Sequence, residues 1–471
     1  MPRLSHRQLD PVLLDESPRA GASLFPRNGF AAAFYNSSQV MKKLCTVFAV
    51  LGLSVLLVAA VPDWLNSGGD PQGSGWQKRE RYITLDSLKQ FKLLWKLKLD
   101  NESRGPNALT APVIFGPIIT HRGMKELVFV AGASDNVYAV DADLGRIFWK
   151  RHIETAADAR PCGDGLTAAP VIAPQLAPND EYEDPTPPRP LYVLSSDGLL
   201  HTIRTPNGQD YGPPVNFLPA HARASNLNFA GQSVYTTTSG SCGAPDGIWA
   251  MDVSVPDAKP RFSPAANIGI AIDFHKAIYS VSSGGMVVSL TSDSLKRRDS
   301  FHPPLGEKAA SVPIPLQWKK KDLLIAATQS GKLMLFGDDS MAVSLPLGPA
   351  NGLATWPDAK GTRWIYVAVA HGIDAFKVIE REGKPALEAA WTSPDIAAPV
   401  SPVVVNGMVF VLSRDPAILY ALDAATGKVL YSSGKTITAP VNSSGLALAN
   451  GHVCFGTADN TLYCFGIPTD I

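Results

Sequence analysis

"NVYAVDADLGRIFW" (residues 136–149) and "ILYALDAATGKVLY" (residues 418–431) say almost the same thing at opposite ends of the chain. Each reads as a strand, an Asp, a tight turn with Gly, and a second strand that reaches a large aromatic. The Asp side chain can hydrogen-bond back onto its own turn, and the Gly permits a positive φ. The aromatic, Trp149 or Tyr431, falls eleven residues after the Tyr of its unit. There a wide flat side chain can pack between neighbouring units and bury the most area.

Each stretch is part of a longer unit that begins with a small-Pro-apolar strand. The fullest copies occupy residues 110–153, opening "TAPV", and residues 398–433, opening "APVSPVVV". A third opens at Thr167 and is interrupted by the acidic, Pro-rich "PNDEYEDPTPPRP"; a fourth contains "SVYTTTSGSCGAPDGIWAMDVS". Weaker copies follow at "AIYSVSSGGMVVSLTSDS", "LLIAATQSGKLMLFGDDS" and "WIYVAVAHGIDAFKVIE", and the last runs from Thr438 to the end. From Tyr82 onward that makes eight units of roughly 49 residues, each of four short strands. This is the pattern of an all-β, eight-bladed β-propeller of four-stranded antiparallel blades. The eighth unit lacks its last strand, and "LLWKLKL" (residues 93–99) can supply it, with Trp95 in the place held elsewhere by Trp149, Trp391 and Tyr431. The N-terminal strand then closes the ring and removes a frayed edge.

Composition narrows the function classes. Lys+Arg and Asp+Glu both number 42, which gives no basic field for nucleic acid. Gly and Pro at 39 each point to many turns. Residues 1–40 read as an unstructured extension, or as the product of an upstream start if Met41 is the true one. Residues 41–61 place Lys42 and Lys43 before an uncharged apolar run ending in small residues, the plan of a signal peptide. Left uncleaved, the run of residues 44–61 is a barely sufficient membrane anchor. Residues 62–81 read as a linker and residues 82–471 as the propeller. The expected location is therefore periplasmic or extracellular, with a membrane reached only through the uncleaved anchor.

Export puts Cys162, Cys242, Cys454 and Cys464 in an oxidising compartment. Cys454 and Cys464 lie symmetrically about Asp459 and can face each other across a hairpin; Cys162 and Cys242 sit in Gly-rich loops and can form a second bridge. Unpaired buried thiols are the alternative in both cases.

The two quoted stretches, with their "TAPV" openings, resemble the repeats of the pyrroloquinoline quinone (PQQ) enzymes, the quinoprotein alcohol dehydrogenase-like propellers. That resemblance spans residues 82–471, weakly across 260–395. It implies one of two activities, because the repeat occurs both in quinone-dependent dehydrogenases and in cofactor-free propellers such as the assembly lipoprotein BamB. In the dehydrogenases the quinone sits in the central funnel over Ca²⁺, an Asp serves as base, and two adjacent cysteines bridge above it. Here there is no Cys-Cys dipeptide and no C-x-x-C-H haem motif, and no residue aligns with the Ca²⁺ ligands.

The candidate site is the mouth formed by loops entering the inner strands. "ADARPCGDGLTAAP" brings Asp158, Arg160 and Asp164; "HARASNLNFAG" brings Arg223 and Asn226; "SGSCGAPDGIW" brings Asp246. Arg160 and Arg223 suit a quinone tricarboxylate, and Asp164, Asn226 and Asp246 are oxygen donors of the kind Ca²⁺ takes. Solvated turn residues are the plainer reading of the same loops. Nine histidines without ligand spacing argue against zinc. The first functional reading is an exported binding or scaffold module that receives a protein or small ligand at the mouth. The alternative is a PQQ- and Ca²⁺-dependent dehydrogenase of an alcohol or sugar.

Overall fold

The computed structural model describes residues 63–102, 109–155, 168–174, 189–266, 268–282, 284–298, 307–337 and 340–468. All of them belong to one of the chain's two compact units, Val61–Ile471. The expected extension at residues 1–40 and the apolar run of 44–61 lie outside the described residues.

The strands assemble into eight separate sheets. Their innermost strands are Val113–Thr120, Val171–Ile172, Asn228–Ala230, Ile268–Ile272, Ile314–Trp318, Ala350–Pro357, Val403–Val405 and Val441–Ala449, here called blades 1 to 8. Six blades have four strands of their own, joined antiparallel in sequence order outward; blade 8 has three of its own, and blade 4 has three among the described residues. Blade 8 takes its outermost strand, Lys92–Lys98, from the other end of the chain, pairing Trp95 with Cys464 and Leu97 with Leu462. The ring closes as the sequence predicts, one residue earlier than its expected span.

The repeated turn residues do what their chemistry suggests. Asp141 Oδ1 accepts the backbone N–H groups of Asp143 and Leu144 at 3.2 and 3.1 Å, and Asp423 Oδ1 does the same for Ala425 and Thr426 at 3.0 and 2.8 Å. The aromatic wedges reach into the next blade. Trp95, Trp149 and Trp391 each donate their indole N–H to a turn carbonyl of the following blade: Ala142 at 2.6 Å, Thr205 at 2.9 Å and Ala424 at 3.0 Å. The turn glycine beneath each ring therefore has a second duty. A Cβ at Gly145 would lie 2.4 Å from Trp95, at Gly208 2.8 Å from Trp149, and at Gly427 2.5 Å from Trp391. Sequence reading gave that glycine only its φ.

The core is correspondingly divided among the blade junctions. One apolar cluster joins Phe129 and Ala139 of blade 1 to Ile172 and Leu191 of blade 2, another joins Ile325 of blade 5 to Ile365 of blade 6, and so around the ring. The cluster at the closure unites blades 7, 8 and 1, from Phe410 through Phe455 to Val128. Within blade 8, Cys454 and Cys464 face each other in register and are disulfide-bonded, their Cα atoms 4.2 Å apart. Cys242 is also disulfide-bonded, with its partner outside the described residues.

Candidate functional site: a channel mouth filled by the N-terminal segment

The segment expected to be a linker is structured from Asp63 onward and occupies the central channel. Trp64 exchanges two backbone hydrogen bonds with Ile114 of blade 1, both 2.9 Å, and its ring is 1 % exposed. Leu65 accepts from Ile172 of blade 2 at 2.9 Å. The Asn66 amide donates to Asn228 Oδ1 of blade 3 at 3.1 Å, and Gln72 donates to the Ile272 carbonyl of blade 4 at 3.0 Å. On the return path, Ser74 accepts from Thr355 of blade 6 at 2.9 Å and Gly75 from Val404 of blade 7 at 2.7 Å. Trp76–Gln77 then runs as a parallel strand beside Val404 and Val405. The Gln77 amide reaches Leu448 of blade 8 at 2.8 Å. Seven of the eight innermost strands thus satisfy channel-facing polar groups on this one segment, which would otherwise have to be met by water.

Its composition explains how it fits. "SGGDPQGSG" (residues 67–75) reads as a flexible spacer, yet here the glycines allow a tight reversal in a narrow space. Gly75 has φ +64° and approaches blades 6 and 7 so closely that a Cβ would lie 2.9 Å from both Ala354 Cβ and the Pro402 carbonyl. Asp70 organises the loop: it accepts from Ser74 N at 2.9 Å and Ser74 Oγ at 2.6 Å, and pairs with Lys78 at 2.8 Å. Further along, buried Glu80 accepts the Gly451 N–H of blade 8 at 3.1 Å.

At the start of the segment, Asp63 accepts from Arg189 at 2.9 Å. Burial outweighs that pairing and pushes the Asp63 carboxyl up to about 6.

Above the segment remains a cavity of about 260 Å³. Its walls carry the polar Asn66, Asp70, Asn226, Asn228, Ser311 and Ser401 together with several glycines and apolar side chains such as Ile270, Val312 and Leu353. Of the predicted site residues, Asn226 lines it. Arg223 and Asp246 come together in a different arrangement, a pair of zipped loops. Arg223 N–H donates to the Cys242 carbonyl at 3.2 Å, Ser239 N–H donates to the Arg223 carbonyl at 3.1 Å, and Asp246 Oδ1 accepts from Ser241 N at 2.5 Å. Asp246 thus bonds within its own loop. Arg160, Asp164, Asp158 and Cys162 lie outside the described residues. The residues that sequence reading missed are Trp64, Asn66, Gln72 and Gln77; the two tryptophans bracketing the glycine run were the available signal.

The described residues of this mouth do not fit a quinone tricarboxylate over Ca²⁺. No Arg or Lys is among the described cavity walls. Two of the oxygen donors are already used: Asp70 by Ser74 and Lys78, and Asn228 Oδ1 by Asn66 and Phe229 N. Among the described residues no three His, Cys, Asp or Glu side chains group as a metal would need.

Comparison with known proteins agrees with the fold. The family model described as "Outer membrane protein assembly factor BamB" matches residues 361–467. No curated protein matches the chain by sequence. The quinohemoprotein alcohol dehydrogenase from Comamonas testosteroni superposes with TM-score 0.59 at 13 % identity, covering 89 % of this chain and 83 % of that one. A europium-containing methanol dehydrogenase gives 0.57 at 12 %, covering 86 % and 98 %. The computationally designed Ika8 protein gives 0.54 at 13 %, covering 80 % and 100 %. Enzymes and a designed protein match equally well, so these likenesses speak for architecture alone. The chain carries the eight-bladed propeller of the PQQ-repeat type.

Proposed function

We propose that this protein is an exported binding or scaffold module whose channel mouth receives a protein or small polar ligand. The observation that supports this reading is the N-terminal segment hydrogen-bonded to the inner strands of seven blades. It fills the funnel in which the resemblance would seat a quinone. What remains open is a hollow of mixed lining whose amides and hydroxyls can make polar contacts with a partner's backbone or with hydroxyl groups. A propeller of this kind presents a rigid ring, and rigid surfaces bind without a large ordering cost. In the same reading Cys242 bonds Cys162 and the apolar run of residues 44–61 directs export.

Calorimetric titration with PQQ, with and without Ca²⁺, is the direct test. The expected result is no heat in either case. A photo-reactive residue at position 226 is then expected to capture a protein partner in the expressing cell. Tight Ca²⁺-dependent quinone uptake, with oxidation of an alcohol or sugar by an artificial acceptor, would overturn the reading.

A further inference from the structure

We infer that the propeller face carrying the first hairpin of each blade rests on a membrane surface with anionic headgroups. Two observations locate it. The first is the direction of the chain. Trp64 pairs antiparallel with Ile114, near the start of the innermost strand of blade 1. Moving backward from Trp64 therefore leads toward the far end of that strand and its hairpin at Thr120–Gly123. Asp63 has already moved that way: it accepts from Gly116 N at 3.5 Å and from Arg189 at 2.9 Å, where Arg189 immediately precedes the second strand of blade 2. Asp63, the first described residue, thus lies on the hairpin side of Trp64.

The second observation is what the face exposes. Ile119 and Met124 are register partners flanking the blade 1 hairpin tip, and they are 71 % and 72 % exposed. Leu144 and Ile147, at the other turn of the same blade, are 45 % and 40 % exposed. Tyr82, beside Gly451 of the blade 8 hairpin, and Phe274, in the blade 4 hairpin, are about half exposed. Six of the thirteen large exposed apolar side chains among the described residues thus lie on this one face, four of them on blade 1, whereas scattered ones would need no explanation.

Cations accompany them. Arg122 and Arg146 join Leu144, Ile147 and Phe148 around a hollow of about 180 Å³, with the Arg122 guanidinium 5.4 Å over the Phe148 ring. Carboxylates stand beside them: Asp141, which also lines the hollow, is neutralised by Lys125 at 2.9 Å, while the half-exposed Asp143 lies 3.7 Å from His452. Apolar tips between guanidinium groups fit the boundary between acyl chains and phosphates. The sequence gives the occupant. Only Val61 and Pro62 separate Asp63 from the rest of the uncharged apolar run of residues 44–61. Such a connection spans at most about 10 Å when fully extended. If that run enters a bilayer, this face meets the headgroups.

The inference rests on the export reading for the entry of residues 44–61 into a bilayer and for which membrane is met, and the test separates the two. The propeller unit, residues 61–471, carries its own closed core and is floated with phosphatidylcholine vesicles with and without phosphatidylglycerol. Binding to the anionic vesicles, weakened by salt, is expected. The double variant Ile119→Glu/Met124→Glu is expected to lower it on the order of a hundredfold, since two apolar contacts are lost and two negative charges gained. Met286→Glu, in the turn at the opposite face, is expected to leave it unchanged. Equal binding by the double variant, or none by the native unit, would refute the inference. A photo-crosslinker at position 124 of the full chain should label lipid; capture of a protein there overturns the inference in favour of a protein interface. Fractionation of the full chain reports separately on export.

Discussion

Substituting Gly427 by Ala tests whether the repeated turn glycine is needed for its φ alone or also for the wedge above it. Gly427 has φ +73°, and a Cβ there would lie 2.5 Å from Trp391 Cε3 and 2.8 Å from Cδ2. Holding an L-residue in the left-handed region costs about 1–2 kcal/mol. Forcing an extra methyl against a packed indole costs about 1–3 kcal/mol more. The ring cannot retreat freely, because its N–H is tied to the Ala424 carbonyl at 3.0 Å. Gly427→Ala should therefore destabilise by about 2–5 kcal/mol. Gly407, in the same blade, is an internal control: its φ is +78° and a Cβ there would meet nothing within 4 Å. Gly407→Ala should show the backbone cost alone. Urea unfolding midpoints at unchanged m-value give both numbers. Adding Trp391→Leu to Gly427→Ala should recover the over-packing part, read as a coupling of about 1–3 kcal/mol in the double-mutant cycle. Equal losses for the two glycines would refute the wedge account.

Three further outcomes are expected. Replacing Gly75 by Val, which clashes with Ala354 and the Pro402 carbonyl, should loosen the channel segment. Amide exchange would then rise at Thr355 and Val404, the donors to Ser74 and Gly75; unchanged protection there would contradict the filled channel. Removing the Cys454–Cys464 bond, whose partners are ten residues apart, should cost about 3 kcal/mol on the chain-entropy account, read from the urea midpoint of the Cys454→Ala/Cys464→Ala variant. Asp63 should give the stability curve a distinctive slope. The folded state holds its proton to about pH 6, whereas the unfolded chain releases it near about 3.9. Its contribution is then fullest below about pH 4 and is lost as pH rises through 6, by up to about 3 kcal/mol. Asp63→Asn should flatten that slope in denaturation followed from acid to neutral pH.

The architecture was legible because each blade repeats the same local chemistry. Asp141 and Asp423 bond their turns, Trp149 and Trp391 span blade junctions, and Trp95 shows which strand completes blade 8. All these signals act over a few residues or recur at a fixed period. The channel was not legible, because its occupant carries no period. Residues 67–75 have the composition of a spacer, and nothing local says that Asn66 will meet Asn228 or that Gln77 will meet Leu448. Those pairings are properties of the closed ring, which exists only after all eight blades have met. The mouth loops fared between the two. Asn226 lines the cavity, while Asp246 spends its carboxylate on Ser241, a choice made by loop geometry and not by residue type.

The filled channel also sets an order of events during synthesis and export. Residues 63–98 are made early, and if export runs N-terminus first they also arrive early. Yet Gln77 needs Leu448, Glu80 needs Gly451, and Lys92–Lys98 needs Thr461–Gly466. The first part of the domain to appear must wait for the last, with Trp64 and the apolar side of its closing strand unsheltered meanwhile. A chain interrupted before blade 8 leaves the ring open at its edge and empty along its axis at the same time. Completion of the fold is in effect a proofreading step for full-length product, and truncated chains should be the ones that proteases and chaperones meet.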